Sequence, residues 1–406
     1  MYKVVFTIVA LGSILFAQGN EALVWTAKAP IPAPARCQLQ AHGNVRDTIY
    51  VCGGRSASAV AINTVNAYVP STNTWITSLP TMPQPRSHGC GDVIDTVIYA
   101  AAGFNASGTP QTTLYAFNVN RKTWATLAPI PSAIIIPAGA ASNRRLYVFG
   151  SQNSGDTLFE YNPATNTWAT IVPGTRPAGR RAAAAGGTAT YFYLTGGADR
   201  SGAALRDCWR FGGGPWTRMA DMPGPRVLHA AYTVVGDSVL YAAGGNSTAV
   251  GGNNDSIVYK YTVATNTWTT ETPMLTARGF LALDRARDKI YAIGGIKATI
   301  LSANEEGGPG VEIAENGTKL QNAEIEIRPN PTRARSSVVY QLNTQSKVSL
   351  KIYNSSGELV RVLVDNIETA GIKTASFDAA EFANGVYFFK LDTDNATQTG
   401  KILLLK

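Results

Sequence analysis

A tryptophan recurs six times at spacings of 44 to 52 residues: Trp25, Trp75, Trp124, Trp168, Trp216 and Trp268. A period of that size constrains the fold more than any other feature, because each repeat is one supersecondary unit that cannot bury its apolar face alone. The turns before the tryptophans are near copies: Ser71-Thr72-Asn73-Thr74-Trp75, Ala164-Thr165-Asn166-Thr167-Trp168 and Ala264-Thr265-Asn266-Thr267-Trp268. Asn at such a turn tolerates left-handed backbone. A second marker is an apolar strand that ends in a glycine pair, at Gly53-Gly54, Gly196-Gly197, Gly244-Gly245 and Gly294-Gly295. Glycine there lets neighbouring backbones approach closely. Two repeats keep only part of this marker, Ala102-Gly103 and Phe149-Gly150-Ser151, and are expected to depart from the regular turn. The 39 Gly, 21 Pro and 17 Tyr, with only 15% charged residues and no long segment of helical apolar period, make the chain all-β.

Together with an aromatic seven residues before the tryptophan (Tyr68, Phe117, Tyr161, Tyr261), these markers resemble the Kelch repeat. The resemblance implies a six-bladed β-propeller over residues 20–304. Each blade has four antiparallel strands, the innermost following a Pro/Arg turn and the outermost carrying the tryptophan. Trp25 arrives before any glycine pair, and no tryptophan follows Gly294-Gly295. The N-terminal strand is therefore expected to complete the last blade, which removes the sheet edges that an open array would expose.

The ends of the chain read differently. Residues 1–19 have the form of a signal peptide, with Lys3, an apolar run from Val4 to Phe16 and small residues at Ala17-Gln18-Gly19. That run is shorter than a bilayer span requires, so no transmembrane segment is expected after cleavage. Residues 305–322 are polar and glycine-rich and read as a linker. Residues 323–406 show alternating strands, seven in all, that suggest a small immunoglobulin-like β-sandwich. Arg328-Pro329-Asn330-Pro331, Val348 to Gly357, Ala383 to Leu391 and Lys401 to Lys406 resemble the type A sorting domain of the type IX secretion system. This implies passage through the periplasm and the outer membrane, to the medium or the cell surface, with the secretion machinery as partner. Immunoglobulin-like modules of the flagellar hook-capping type share some of these segments, so a sandwich without a sorting role stays open.

Cys37, Cys52, Cys90 and Cys208 are too few for a disulfide scaffold; Cys37 and Cys52, on neighbouring strands, either pair or remain buried thiols. Residues 20–304 hold 18 Arg and 5 Lys against 11 Asp and 3 Glu, a net +9. Arginine in excess of lysine, without basic runs, points to anion recognition and away from nucleic acid. The turn before each innermost strand repeats an arginine, at Arg36, Arg86, Arg180, Arg226 and Arg278, and blade three has Ile134-Ile135-Ile136-Pro137 instead. If these side chains face the channel, they form an incomplete cationic ring for an anionic ligand; otherwise each packs over its own blade and pairs with carbonyls.

The three histidines, His42, His88 and His229, read as satisfied core residues, and no metal site or cofactor is expected. Copper oxidases on Kelch propellers need ligands that cannot be placed here, and sialidases need an Asp box that these turns lack. The leading function is a secreted or cell-surface recognition module that binds a glycan or protein through one propeller face. The alternative is a Kelch-type sugar-processing enzyme such as a sialic acid mutarotase, with Asp92, Asp95 and Asp284 as acidic candidates.

Overall fold

A computed structural model of the chain describes residues 22–309 and 325–404, except 135, 151–154, 173, 235–237, 249–251, 288, 329–331, 333–334, 343, 355–357, 379–380 and 395–396. The expected signal peptide lies outside the described residues. No helix among them is long and apolar enough to cross a membrane.

The first unit holds six sheets of antiparallel strands, each built from one repeat. Their innermost strands are Ala41–Val45, Cys90–Ile94, Ala138–Ser142, Ala184–Gly187, Ala230–Val234 and Ala282–Ala286. These strands neighbour one another in order, and the last lies against the first, so the blades close a ring around a central channel. In the sixth blade the outermost strand is Leu23–Lys28, from the N-terminus, paired with Asn304–Pro309 so that Trp25 faces Gly307. Closure through the N-terminal strand is as expected.

The expected linker, however, begins inside that sheet: Glu305 to Pro309 belong to its third strand. Glu305 and Glu306 are buried because cations meet them. Arg278 bonds to Glu305, and Lys28, Lys289 and the Tyr291 hydroxyl reach Glu306 at 3.2, 2.6 and 2.5 Å. Gly307 is needed because a Cβ there would lie 3.0 Å from the Trp25 indole.

The tryptophans join blade to blade. Each of five donates its indole N–H to a carbonyl four or five residues past the previous blade's tryptophan: Trp25 to Thr272, Trp75 to Ala29, Trp124 to Pro80, Trp168 to Ala128 and Trp268 to Ala220, at 2.8–3.0 Å. The turn asparagines reinforce this. Asn73, Asn166 and Asn266 have φ of 52–53°, and each side-chain oxygen accepts from its own blade's tyrosine hydroxyl and from a backbone N–H of the previous blade. The tyrosines seven residues before Trp75, Trp168 and Trp268 are thereby explained, whereas Phe117, without a hydroxyl, packs on Trp124.

The glycine pairs work at the same seams. Gly244 has φ 69°, and a Cβ on it would stand 2.4 Å from the Arg278 carbonyl oxygen of the next blade. That oxygen accepts from Gly245 N–H at 2.9 Å. In the second blade Ala102 takes the same left-handed backbone, φ 59°, so the expected departure of that turn does not occur. All four cysteines are buried and free. No Cys37–Cys52 bridge forms, and burial raises both thiols to about 12, which leaves them unreactive.

The second unit is a sandwich of seven strands. Ile325–Arg328, Arg335–Leu342 and Gly371–Asp378 form one sheet; Leu359–Glu368, Ser346–Tyr353, Gly385–Asp392 and Thr397–Leu404 form the other. Val338, Tyr340, Leu350, Ile352, Phe377, Phe389 and Ile402 fill the space between them.

Candidate functional site

The five repeated arginines are almost completely buried, with 0–4% of their surface exposed. Arg180 meets Asp207 with two bonds, 2.5 and 2.8 Å, and donates to the Gly196 carbonyl at 2.9 Å. Arg226 meets Asp255 at 2.5 Å. Arg278 bonds to Glu305 and to the carbonyls of Thr276, Ala292, Gly294 and Ala303. Arg36 donates to the Thr64 carbonyl and to Asn66; Arg86 donates to the Pro85 carbonyl and reaches Gln111, Thr113 and Tyr115 at 3.3–3.4 Å.

Every one of these partners lies in the same blade or the turn that leads into it. Of the two arrangements left open for Arg36, Arg86, Arg180, Arg226 and Arg278, these contacts are those of packing over their own blades and not of a cationic lining. A buried guanidinium requires acceptors close by, and the strand ends of its own blade supply them. Asp207 feels the converse: against the effect of burial, Arg180 holds its carboxyl below the usual range.

What does face the channel mouth is the residue two positions after each arginine, or after Ile134 in blade three. Gln38, His88, Ile136, Ala182, Leu228 and Phe280 all adopt left-handed backbone, with φ between 49° and 62°. None is glycine, so each stores strain of roughly 1–2 kcal/mol. The strain is held by five blade-to-blade hydrogen bonds: Gln38 N–H to Phe280 O, His88 to Gln38, Ala182 to Ile136, Leu228 to Ala182 and Phe280 to Leu228, at 2.7–3.3 Å. Strained backbone that the surroundings over-determine is characteristic of functional sites. A repeated position with no common residue type left no sequence signal. Its only cue was a constant offset from the arginine.

This collar surrounds a cavity of about 120 Å³ lined by Gln38, Gln40 and all three histidines of the chain, with Leu228, Phe280 and other apolar groups between them. Three blades contribute the histidines, which reading the sequence treated as separate core residues. His88 packs its ring edge-on against Phe104 and Phe280. His229 bonds to the Thr195 hydroxyl at 2.9 Å and is buried. His42 Nδ1 lies 2.9 Å from a carboxylate oxygen of Asp284, itself fully buried. Of the acidic candidates, Asp284 and Asp92 stand on innermost strands; Asp95 is an exposed partner of Arg144. Asp92 accepts from the backbone N–H of Val93 and Ala141 at 2.7 and 2.8 Å. Among the described residues no group of three or more His, Cys, Asp or Glu is arranged to hold a metal ion.

The charge states follow from these surroundings. Burial, with the nearby Arg226, lowers His229 to about 3; burial, with Arg55, lowers His88 to about 4. Both are neutral at physiological pH. Burial alone would lower His42 as well, but the bond to Asp284 and the charges of Asp284 and Asp92 outweigh it and raise the pKa. Burial raises Asp92 to about 6 despite its two backbone donors.

A histidine kept neutral in the fold contributes stability that is complete above the unfolded value near 6.5 and is lost as pH falls toward the folded value. His229 should therefore cost the fold about 2 kcal/mol between about pH 7 and about pH 5. His42 and Asp92, both raised, act in the opposite sense over that range. The measurement is a urea midpoint against pH for the parent and His229→Asn. The variant's profile should be flatter on the acid side, and parallel profiles would contradict the assignment.

Residues 16–197 match the KLHDC2/KLHL20/DRC7 Kelch-repeats domain, and residues 326–405 match the Secretion system C-terminal sorting domain. Among curated proteins, Beta-scruin of Limulus polyphemus is 28% identical over 145 residues, 33% of this chain and 15% of that protein. Kelch repeat and BTB domain-containing protein 1 of Camelpox virus (strain CMS) is 23% identical over 239 residues, 57% of this chain and 42% of that protein. The chain thus spans less than half the length of either relative. Among solved structures, that of YjhT superposes with a TM-score of 0.56 at 16% identity, covering 68% of this chain and 96% of the other, a likeness of fold. The chain is a Kelch-repeat β-propeller protein that carries a C-terminal secretion-sorting domain and is exported to the cell surface or beyond.

Proposed function

We propose that the propeller is a non-catalytic recognition module that binds a protein or glycan through the face surrounding the channel mouth. The observation that carries this reading is the strained collar with its cavity, which gathers five polar side chains, Gln38, Gln40, His42, His88 and His229, from three blades. Loops converge on the same face. The second and third strands of blades two, four, five and six are joined by 12, 12, 14 and 10 residues, at 102–113, 196–207, 244–257 and 294–303. On the opposite face the first and second strands are joined by two to four residues. Long loops on a rigid scaffold are where binding residues concentrate.

The sugar-processing alternative calls for a carboxylate shared by two channel arginines. Asp207, Asp255 and Glu305 each serve one repeated arginine within its own blade, which favours recognition over catalysis.

The test uses the full chain on glycan and extracellular-protein arrays, beside a His88→Ala, Phe280→Ala double variant. A partner bound by the parent should be lost by the variant, whereas equal binding by both would remove this face from the reading. For the second unit, deleting residues 326–406 is expected to leave the chain in the periplasm, scored by protease accessibility on intact cells. Surface display by the truncated chain would contradict a sorting role.

A further inference from the structure

Among the described residues twelve large apolar side chains are exposed, and seven of them stand on the second unit, the smaller of the two. Strand pairing shows how they are arranged. In the four-stranded sheet Leu350, Ile352, Phe389 and Ile402 point inward and are buried, so the residues that alternate with them form its outer face. Leu359, Tyr353, Phe388 and Lys401 make one row across all four strands, and Val386 pairs with Leu403 beside it. The next row runs Val362, Lys351, Lys390 and Thr399. A third holds Asp365, Ser349, Asp392 and Thr397, with Asp392 bonded to Lys390 at 3.0 Å. Leu359 and Phe388 keep 52% and 43% of their surface in solvent. Six apolar side chains thus adjoin on one outer face, and an exposed patch of this kind marks an interaction site.

We infer that this face is where a protein of the secretion machinery holds the domain, through an apolar seat for the first row and carboxylates that meet Lys351 and Lys401. The inference rests on the sorting role of the second unit. Charge selects the occupant. Across its strands the face carries Lys347, Lys351, Lys390 and Lys401 against Asp365 and Asp392, so a second copy of the chain would bring the same positive excess to the interface. An anionic lipid surface would attract the lysines but repel the row of Asp365 and Asp392. A protein matches all three rows, because it can place apolar groups, carboxylates and donors separately. Docking uses the face and not the sheet edge, since register shifts at Leu350/Lys351 and Ile352/Tyr353 bulge the edge strand Leu359–Glu368, and bulges oppose the addition of another strand.

The experiment follows surface display of the full chain in cells that export it, scored by protease accessibility. Leu359→Thr combined with Phe388→Thr keeps residues that favour strands. The purified variant should unfold at the parent's midpoint, while its displayed fraction falls about tenfold, the effect of losing one anchoring contact. Should that variant not fold, Val362→Thr with Val386→Thr, which only exchanges methyls for hydroxyls, takes its place with the same expectation. Lys351→Glu should lower display more than Lys351→Gln. Ile372→Thr, at a side chain 71% exposed in the other sheet, should be displayed like the parent. Parental display of a folded face variant, or an equal loss with Ile372→Thr, would overturn the inference. So would sedimentation showing a dimeric parent and a monomeric variant, or phosphatidylglycerol vesicles binding the parent and not the variant, because the face would then serve a second copy or a lipid. Display of the chain without residues 326–406 would instead overturn the sorting role itself.

Discussion

A chain that begins at residue 29, without the strand Leu23–Lys28, is expected to show no cooperative unfolding transition and to aggregate. Leu23 and Trp25 are each only 6% exposed and sit in the core between the fifth and sixth blades. Truncating a buried Trp costs about 3–5 kcal/mol, and a buried Leu about 2–5 kcal/mol. Their sum is comparable with the whole stability of an ordinary domain, about 5–15 kcal/mol. The deletion also removes the Trp25 indole bond to Thr272, takes Lys28 from Glu306 and leaves the strand Asn304–Pro309 as an open edge. Trp25→Ala, which keeps the backbone pairing, should lower stability by about 3–5 kcal/mol and remain soluble. Denaturant unfolding with light scattering distinguishes the two. A deletion variant that unfolds at the parent's midpoint would show that the ring does not depend on its closing strand.

The second large effect is at Arg278. Replacing it by Leu leaves Glu305, whose side chain is 3% exposed, as a buried charge and removes donors from four carbonyls. Breaking a buried pair on one side costs about 3–5 kcal/mol, because the remaining charge is uncompensated. Arg278→Leu combined with Glu305→Leu should recover a large part of that loss, since replacing both partners avoids the unpaired charge. A double variant no more stable than the single one would mean that the carbonyl bonds, and not the ion pair, hold this corner.

Much of the fold was legible because the repeats carry it in side chains that do the same task each time. The indoles, the turn asparagines and the tyrosines seven residues upstream all serve the seam between consecutive blades, so they recur in order and could be counted. The closing strand was legible for the same reason, from a tryptophan without its glycine pair. The strand Asn304–Pro309 was not. Glu305-Glu306-Gly307-Gly308 shows no apolar alternation, and its burial depends on Arg278, Lys28, Lys289 and the Trp25 indole, partners brought from elsewhere in the chain.

The candidate site divides along the same line. That an arginine stands before five of the innermost strands was plain from the sequence, but whether it faces the channel or its own blade is a matter of which acceptors lie nearer. Asp207, Asp255 and Glu305 settle that only once the strands are paired. The collar residues share a backbone angle and no chemistry, and the three histidines are separated by 46 and 141 positions. By itself the sequence determined the number of blades, their closure and the exported, sorted character of the chain, because these rest on local patterns repeated in order. The tertiary structure alone decided the channel's character, since a side chain's direction exists only after the ring brings distant turns together.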